Sequence, residues 1–525
     1  MKKQSRISAI TLTCAMAITA LTGCGGKEKD EPSTVAQADT TAVQADTTAE
    51  QSAPSTTEGT KAPEEVPTET ATETPTEEPT EEPTESAGPI VNFRDRSIEI
   101  VTGKKAVLDG TWRDGILLDN GLAEPRHTYH EDLRDQISDM EEKYKFKVSM
   151  NNIGSFNSDY SSKLILSINS GMPLGQLCEI DAGWVPGLMN NRLLTPLDTL
   201  SWLDLSEEKW NKGVYEATSF GGHVYGMNVD REPGYGVFYN KRILQEAGYG
   251  ADELYDLQKN GEWDRAKFEE ILKACTKDTD GDGRADIWGL TTSLGANYYT
   301  AVVHASGADF VTKDESGKFV NRMGSETFLS ALDWADEMRK DYGAPPLENT
   351  EGMTSYTDRF INGQVAMTVA SEKYKEMLSS LQDDWGFVML PGPDGKNPIA
   401  VDPSPVIIIP ASYSKDEANE IAIIFDLITE TVHGYGHDEA WKEEYYEQYR
   451  DSRAVDETLT LMRYGKNIKP RLELFVEGLY EKSIYSDFLY PLYSGKTTPA
   501  EGIQANMEKW NELINQQNDA KPDLN

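Results

Sequence analysis

The stretch that most constrains the fold is Gly221-Gly-His-Val-Tyr-Gly-Met-Asn-Val-Asp-Arg-Glu-Pro-Gly-Tyr-Gly-Val-Phe-Tyr-Asn-Lys241, in which five residues are glycine. Glycines let a backbone turn sharply or approach another chain segment where a Cβ would clash. The pattern predicts a tight hairpin at Gly221-Gly222, an extended run through Val237, Phe238 and Tyr239, and a helix from Lys241 to Ala247 stopped by Gly248. Such a run reads as a crossing between two lobes. At 525 residues the chain also exceeds a single core, since domains hold about 100–200 residues each.

The first ninety or so positions stand apart. Lys2, Lys3 and Arg6 precede an apolar run from Ile7 to Leu21, the pattern of a secretion signal and too short for a comfortable membrane span. Leu21-Thr-Gly-Cys24 follows and resembles the bacterial lipobox, which implies cleavage before Cys24 and acylation of its thiol and new amine. Each buried methylene contributes about 0.8 kcal/mol, so two or three acyl chains anchor a protein stably. From Lys27 to Pro89 the sequence is Thr, Glu, Ala and Pro, ending in Pro75-Thr-Glu-Glu-Pro79-Thr-Glu-Glu-Pro83. It cannot bury enough surface to offset its ordering entropy and reads as a spacer.

The formal net charge is −39, with acidic residues abundant in the body as well as in the spacer. Like-charge repulsion excludes nucleic acid and an anionic membrane surface as partners. Cys14 falls in the signal and Cys24 at the lipid site, which leaves Cys178 and Cys275 either paired or buried as free thiols.

Along the body, Arg96 to Gly103 alternates as a strand, His130 to Tyr144 carries apolar residues at helical spacing, and Phe146 to Met150 returns as a strand. Tyr160 to Ser170 is a second helix, and Gln176 to Trp184 is an apolar strand ending in a polar and aromatic tip. In parallel α/β sheets ligands gather at such strand ends, which singles out Asp181 and Trp184. Trp288 to Thr292, Gly363 to Ala370 and Trp385 to Leu390 are further strands, and Val401 to Pro410 is a second candidate crossing. The remainder is mainly helical, its last helix capped by Thr498 with Pro499 at the first position.

Two metal readings arise. Asp278-Thr-Asp-Gly-Asp-Gly-Arg-Ala-Asp286 has the oxygen spacing of a calcium loop, with Asp278, Asp280, Asp282 and Asp286 as donors, but Gly289 stands where a bidentate Glu would close it. A metal-free Asx-rich turn is the other reading of the same residues, and either would be structural. His433-Gly-Tyr-Gly-His437 offers two imidazoles in a loop, which reads as ordinary surface histidine.

Four separated pieces together resemble the family-1 extracellular solute-binding proteins of ABC importers, the group that includes maltose-binding proteins. They are Ile180-Asp-Ala-Gly-Trp-Val-Pro with Leu193-Leu-Thr-Pro-Leu-Asp198; Tyr225-Gly with Phe238-Tyr-Asn-Lys241; Phe360-Ile-Asn-Gly-Gln-Val-Ala-Met367; and Gly495-Lys-Thr-Thr-Pro. The resemblance implies an α/β, two-lobed, type II periplasmic-binding-protein-like fold with hinge crossings. It places the signal at 1–23, the lipidated cysteine and spacer at 24–92, one lobe at 93–230 with about 404–432 returning to it, and the other at 231–403 with the C-terminal helices 433–525. It further implies a carbohydrate, an oligosaccharide in size, held between the lobes by Asp181, Trp184, Glu232, Tyr235, Tyr374, Lys104, Trp112, Asn297 and Tyr298. Sugars present apolar ring faces rimmed by hydroxyls, which suits aromatic plates beside carboxylates and amides. Family members often carry Gly and then Trp after the Ala-Met strand, where this chain has Ser371 and Tyr374.

The expected protein is thus a monomeric binding lipoprotein at the outer face of the cytoplasmic membrane. It serves a permease and requires no cofactor beyond an optional structural calcium. Competing readings are a lipid-anchored glycoside hydrolase, an importer subunit for a peptide or metal complex, and a two-lobed receptor. Neither a Gly-x-Ser-x-Gly elbow nor His-Glu-x-x-His occurs.

Overall fold

The computed structural model describes residues 92–102, 128–153, 156, 158–292, 294–345, 354–396, 399–402, 405–436, 439 and 441–520. The signal, Cys24, the spacer, Lys104, Trp112 and His437 lie outside the described residues.

Fourteen strands occur among them: β1 (Arg96–Thr102), β2 (Phe146–Asn152), β3 (Leu177–Ile180), β4 (Ser219–Phe220), β5 (His223–Val224), β6 (Tyr235–Asn240), β7 (Trp288–Thr292), β8 (Val311–Lys313), β9 (Phe319–Asn321), β10 (Val365–Ser371), β11 (Trp385–Met389), β12 (Ala400–Asp402), β13 (Val406–Ile408) and β14 (Ile468–Pro470). They make two four-stranded sheets and three two-stranded pairs, β4-β5, β8-β9 and β12-β14. The first has the order β13-β3-β1-β2, with β1 parallel to β2 and β3 and with β13 antiparallel on β3. The second has the order β11-β6-β10-β7, with β6 antiparallel to both neighbours and β7 parallel to β10.

The strand sequences explain their position. Leu177-Cys-Glu-Ile180 and Val406-Ile-Ile408 are buried at every residue, and Val365 to Ala370 likewise, as expected of strands covered by helices on both faces. One face of the first sheet packs on helices Thr128–Tyr144 and Lys415–Ile428 through Ile98, Ile100, Leu133, Phe146, Ile407 and Phe425. Its other face joins a core that runs on without interruption through Tyr160, Leu164 and Val185 to Phe238, Leu479 and Trp510 of the second lobe.

The crossing stretch takes the shape its glycines predict. Gly221 and Gly222 have positive φ and turn β4 into β5, Met227 bridges Ile407 on the first sheet, and β6 opens at Tyr235 on the second. The helix Lys241–Glu246 is capped by the Asn240 side chain and released at Gly248, φ +97°. β12 is paired in parallel with β14, a three-residue strand within the mainly helical C-terminal part. The last helix, Pro499–Asp519, carries the capping box Thr498/Glu501.

Cys178 and Cys275 are both buried and free, which settles them as thiols rather than a disulfide. Burial pushes each up to about 12.

Candidate functional site

The carboxyl end of β3 delivers Asp181 and Trp184, with Asp181 exposed. Its extended backbone starts a single 3₁₀ turn, Ala182–Trp184, and its carboxylate accepts from the Gly183 amide at 2.8 Å. That bond holds the tip in one shape, as an N-cap does. Trp184 is half-buried and meets Phe156 and Tyr160 edge-on, with centroids at 5.9 and 5.4 Å. The Tyr160 hydroxyl donates to the Glu179 carbonyl at 2.7 Å, so this aromatic group is tied to β3 itself.

The tip packs against Leu472–Phe475. Here a polar network lies that the sequence did not reveal. Arg471 donates through Nε to Glu473 Oε1 at 2.8 Å and through Nη1 to the Tyr235 hydroxyl at 3.5 Å, and its guanidinium lies 4.3 Å from the Tyr480 ring centroid. His304 Nε2 sits 3.2 Å from the same Glu473 oxygen. The Tyr480 hydroxyl donates to Asn297 Oδ1 at 2.6 Å and lies 3.1 Å from Thr300 Oγ1. Two expected contact residues, Tyr235 and Asn297, therefore occupy the two ends of one network whose middle is Arg471 and Tyr480.

Burial alone would raise the Glu473 pKa, but His304 and Arg471 outweigh it and hold the carboxyl down at about 2. Burial would lower Arg471, yet Tyr480, Tyr235 and Glu473 raise it well above its ordinary value. The pair is thus fully ionised at neutral pH.

Glu232, in the crossing, is half-buried and pairs with Lys373 at 3.4 Å. Tyr374 and Tyr298, both expected at the site, are buried. Tyr374 is 6% exposed, packs on Phe238 and Phe360, and donates to the Thr357 carbonyl at 3.3 Å. Tyr298 is fully buried and donates to the Ala335 carbonyl at 3.2 Å. Both rings belong to the continuous buried core.

Of the acidic turn, Asp278, Asp280 and Asp286 bring one oxygen each within 4.8 Å of one another, and all three are exposed. Asp278 accepts from the Gly281 and Gly283 amides at 2.7 and 2.9 Å, and Asp286 from the Thr279 amide at 2.7 Å. Asp282 turns to the Arg284 amide at 2.8 Å instead. His433 is exposed at a turn, its amide on Gln136. Among the described residues no helix is long and apolar enough to cross a membrane.

Two four-stranded sheets joined by crossings, with the strand-end turn Ala182–Trp184 packed on Leu472–Phe475, make a two-lobed α/β architecture. The family model for bacterial extracellular solute-binding proteins matches residues 135–423, and the chain belongs to that family. Its members are binding proteins rather than enzymes. The chain matches no curated protein sequence. Among solved structures it is similar to an ABC transporter solute-binding protein from Thermotoga lettingae bound with α-D-tagatose, at 17% identity and TM-score 0.51, over 80% of this chain and 100% of that one. It is similar to an ABC substrate-binding protein from Listeria monocytogenes in complex with cycloalternan, at 16% identity and TM-score 0.52, over 80% and 99%. It is also similar to the sugar-binding protein MalE from Xanthomonas citri, at 15% identity and TM-score 0.54, over 80% and 98%. These likenesses show the type II α/β fold.

Proposed function

We propose that the protein captures a carbohydrate of oligosaccharide size between its lobes and delivers it to an ABC permease, tethered outside the cell by acyl chains on Cys24. The observation that carries this reading is the placement of Asp181 and Trp184 at the end of β3, where the Ala182–Trp184 turn packs on Leu472–Phe475, the segment next to Arg471. A ring face beside charge-assisted hydrogen-bonding groups is what a sugar requires, and the structures similar to this chain include sugar complexes. The open form takes the sugar on one lobe, and the second lobe's contacts hold the closed form. The ligand shifts that equilibrium only by its differential affinity for the closed state.

A glycoside hydrolase needs a carboxyl of raised pKa as general acid. Glu473 is shifted the opposite way and so does not suit that role. Capture needs no cofactor. Calcium at the acidic turn would be structural, and a melting temperature raised by millimolar calcium over EDTA, but not in Asp280→Asn, tests it. Calorimetry and thermal shift against a glycan panel test the main reading, and a body that no mono- or oligosaccharide stabilises defeats it.

A further inference from the structure

The buried positions of Leu479–Leu489 follow a period that an α-helix does not have. Leu479, Tyr480, Ser483, Ile484, Phe488 and Leu489 are buried, Glu481, Lys482 and Ser486 are exposed, and Tyr485 and Asp487 are half-buried. At the α-helical turn of about 100° per residue, the six buried side chains would scatter over about 260° of the helix surface. A helix with i→i−5 bonds turns about 82° per residue, and the same six then fall within about 130°. The half-buried Tyr485 and Asp487 stand at the two margins of that arc, and the exposed three lie beyond it. The structure takes this second form. Leu479–Leu489 is a π-helix, in which the Tyr490 amide donates to the Tyr485 carbonyl and Ser486 Oγ to the Glu481 carbonyl at 2.8 Å, each five residues back.

Helices of this kind are rare and mostly one turn long, so an eleven-residue run needs something to hold it. Two anchors do so. Near the start, the Tyr480 hydroxyl donates to Asn297 Oδ1 at 2.6 Å, and the Arg471 guanidinium lies 4.3 Å from its ring centroid. Further on, Phe488 meets Trp510 edge-on at 5.2 Å and lies over Gly502, where a Cβ would come within 2.5 Å of the ring. In an α-helix of unchanged length Tyr480 and Phe488 would be turned about 140° relative to each other, and one anchor would be lost.

Shortening the segment by one residue restores the agreement. With Ser486 removed, the six buried side chains of an α-helix fall within about 180°, and the remaining four all lie on the opposite side. The segment therefore has the pattern of an amphipathic α-helix with one residue too many, and the wider winding absorbs the surplus.

We propose that Leu479–Leu489 is a register switch. In one register the π winding seats Tyr480 on Asn297 and Arg471. In the other the segment winds as an α-helix, extrudes its surplus residue near Ser486 and turns Tyr480 off both partners. Arg471 also donates to the Tyr235 hydroxyl at 3.5 Å, and Tyr235 opens β6 within the crossing. Undocking of Tyr480 thus loosens the C-terminal helices from the crossing, whatever the ligand.

Hydrogen exchange of the full-length protein, read by mass spectrometry, tests the switch. The amides of Ile484–Tyr490 should open together, about tenfold or more often than those inside helix Pro499–Asp519, because rewinding breaks all the i→i−5 bonds at once. Tyr480→Phe keeps a ring beside Arg471 but loses the bond to Asn297. It should speed exchange of the same amides about tenfold and leave Pro499–Asp519 unaltered, a selectivity that general destabilisation would not give. Deletion of Ser486 should yield a folded protein in which these amides are as slow as those of Pro499–Asp519. Exchange in the unaltered protein no faster than in that helix overturns the switch, as does exchange that Tyr480→Phe leaves unchanged. A folded deletion variant that still exchanges fast overturns it too. Where the deletion variant fails to fold, the unaltered protein and Tyr480→Phe decide.

Discussion

Lys313 Nζ donates to the backbone oxygen of Glu216 at 2.6 Å, and to those of Ala217 and Ser219 at 3.2 and 2.8 Å. A lysine of the β8–β9 hairpin thus closes the carboxyl end of helix Lys212–Ala217, where a cation is favoured. Phe319 of the same hairpin stacks on Phe220 with centroids 6.0 Å apart.

Burial lowers the Lys313 pKa from its ordinary 10.5 to about 8, against a smaller opposing pull from Glu216. The folded state therefore binds fewer protons than the unfolded one between those values, and this group's contribution to stability should rise with pH from about 8 to 10.5. In Lys313→Met that component of the slope should vanish, while stability at pH 7 drops by about 1–2 kcal/mol because three carbonyls lose their donor. Urea unfolding of both proteins across this range checks it, and identical slopes would refute it.

Trp184→Ala removes a half-buried ring held edge-on by Phe156 and Tyr160. The expected cost is about 1–2 kcal/mol of stability, below that of a fully buried tryptophan. Affinity for the sugar should fall about thirtyfold, whereas Trp184→Phe keeps most of it. Calorimetry alongside denaturant unfolding separates the two effects.

Glu232→Ala deletes a partly exposed pair with Lys373, worth less than about 1 kcal/mol. The melting temperature should hardly move while ligand affinity drops several-fold. An unchanged affinity would leave this part of the crossing as a hinge only.

Gly236→Ala should be among the most destabilising single-methyl additions. Its Cβ would lie 2.5 Å from the Phe387 ring and 2.7 Å from the Val388 carbonyl across β11. Overpacking of this kind costs about 1–3 kcal/mol, readable as a shift in urea midpoint at constant m-value.

Gly236 also shows what sequence can and cannot disclose. The glycines of the crossing were legible because a tight turn and a close strand approach are local demands on the backbone. The strands Leu177–Ile180 and Val365–Ser371 were legible because continuous apolar runs flanked by breakers admit few other structures. The burial of Tyr374 and Tyr298 was not legible, because residue type does not tell which side of an element faces the core. Arg471, Glu473 and His304 escaped notice because they meet only through tertiary pairing: β14 must first lie along β12 before Arg471 and Glu473 reach a helix that carries His304. Pro470-Arg-Leu-Glu473 has no periodic signature that announces such a meeting.

The antiparallel seat of β13 on β3 bears on how the nascent chain matures. Strands β1, β2 and β3 are synthesised early, yet the apolar margin of Leu177–Ile180 has no neighbour until Val406–Ile408 emerges. Every strand of the second sheet is made in that interval. An unsatisfied sheet edge is a template for wrong pairing, and long-range closure is slow. The vulnerable moment in this protein's assembly is therefore the wait between those two segments, during which a holding chaperone would have the most to protect.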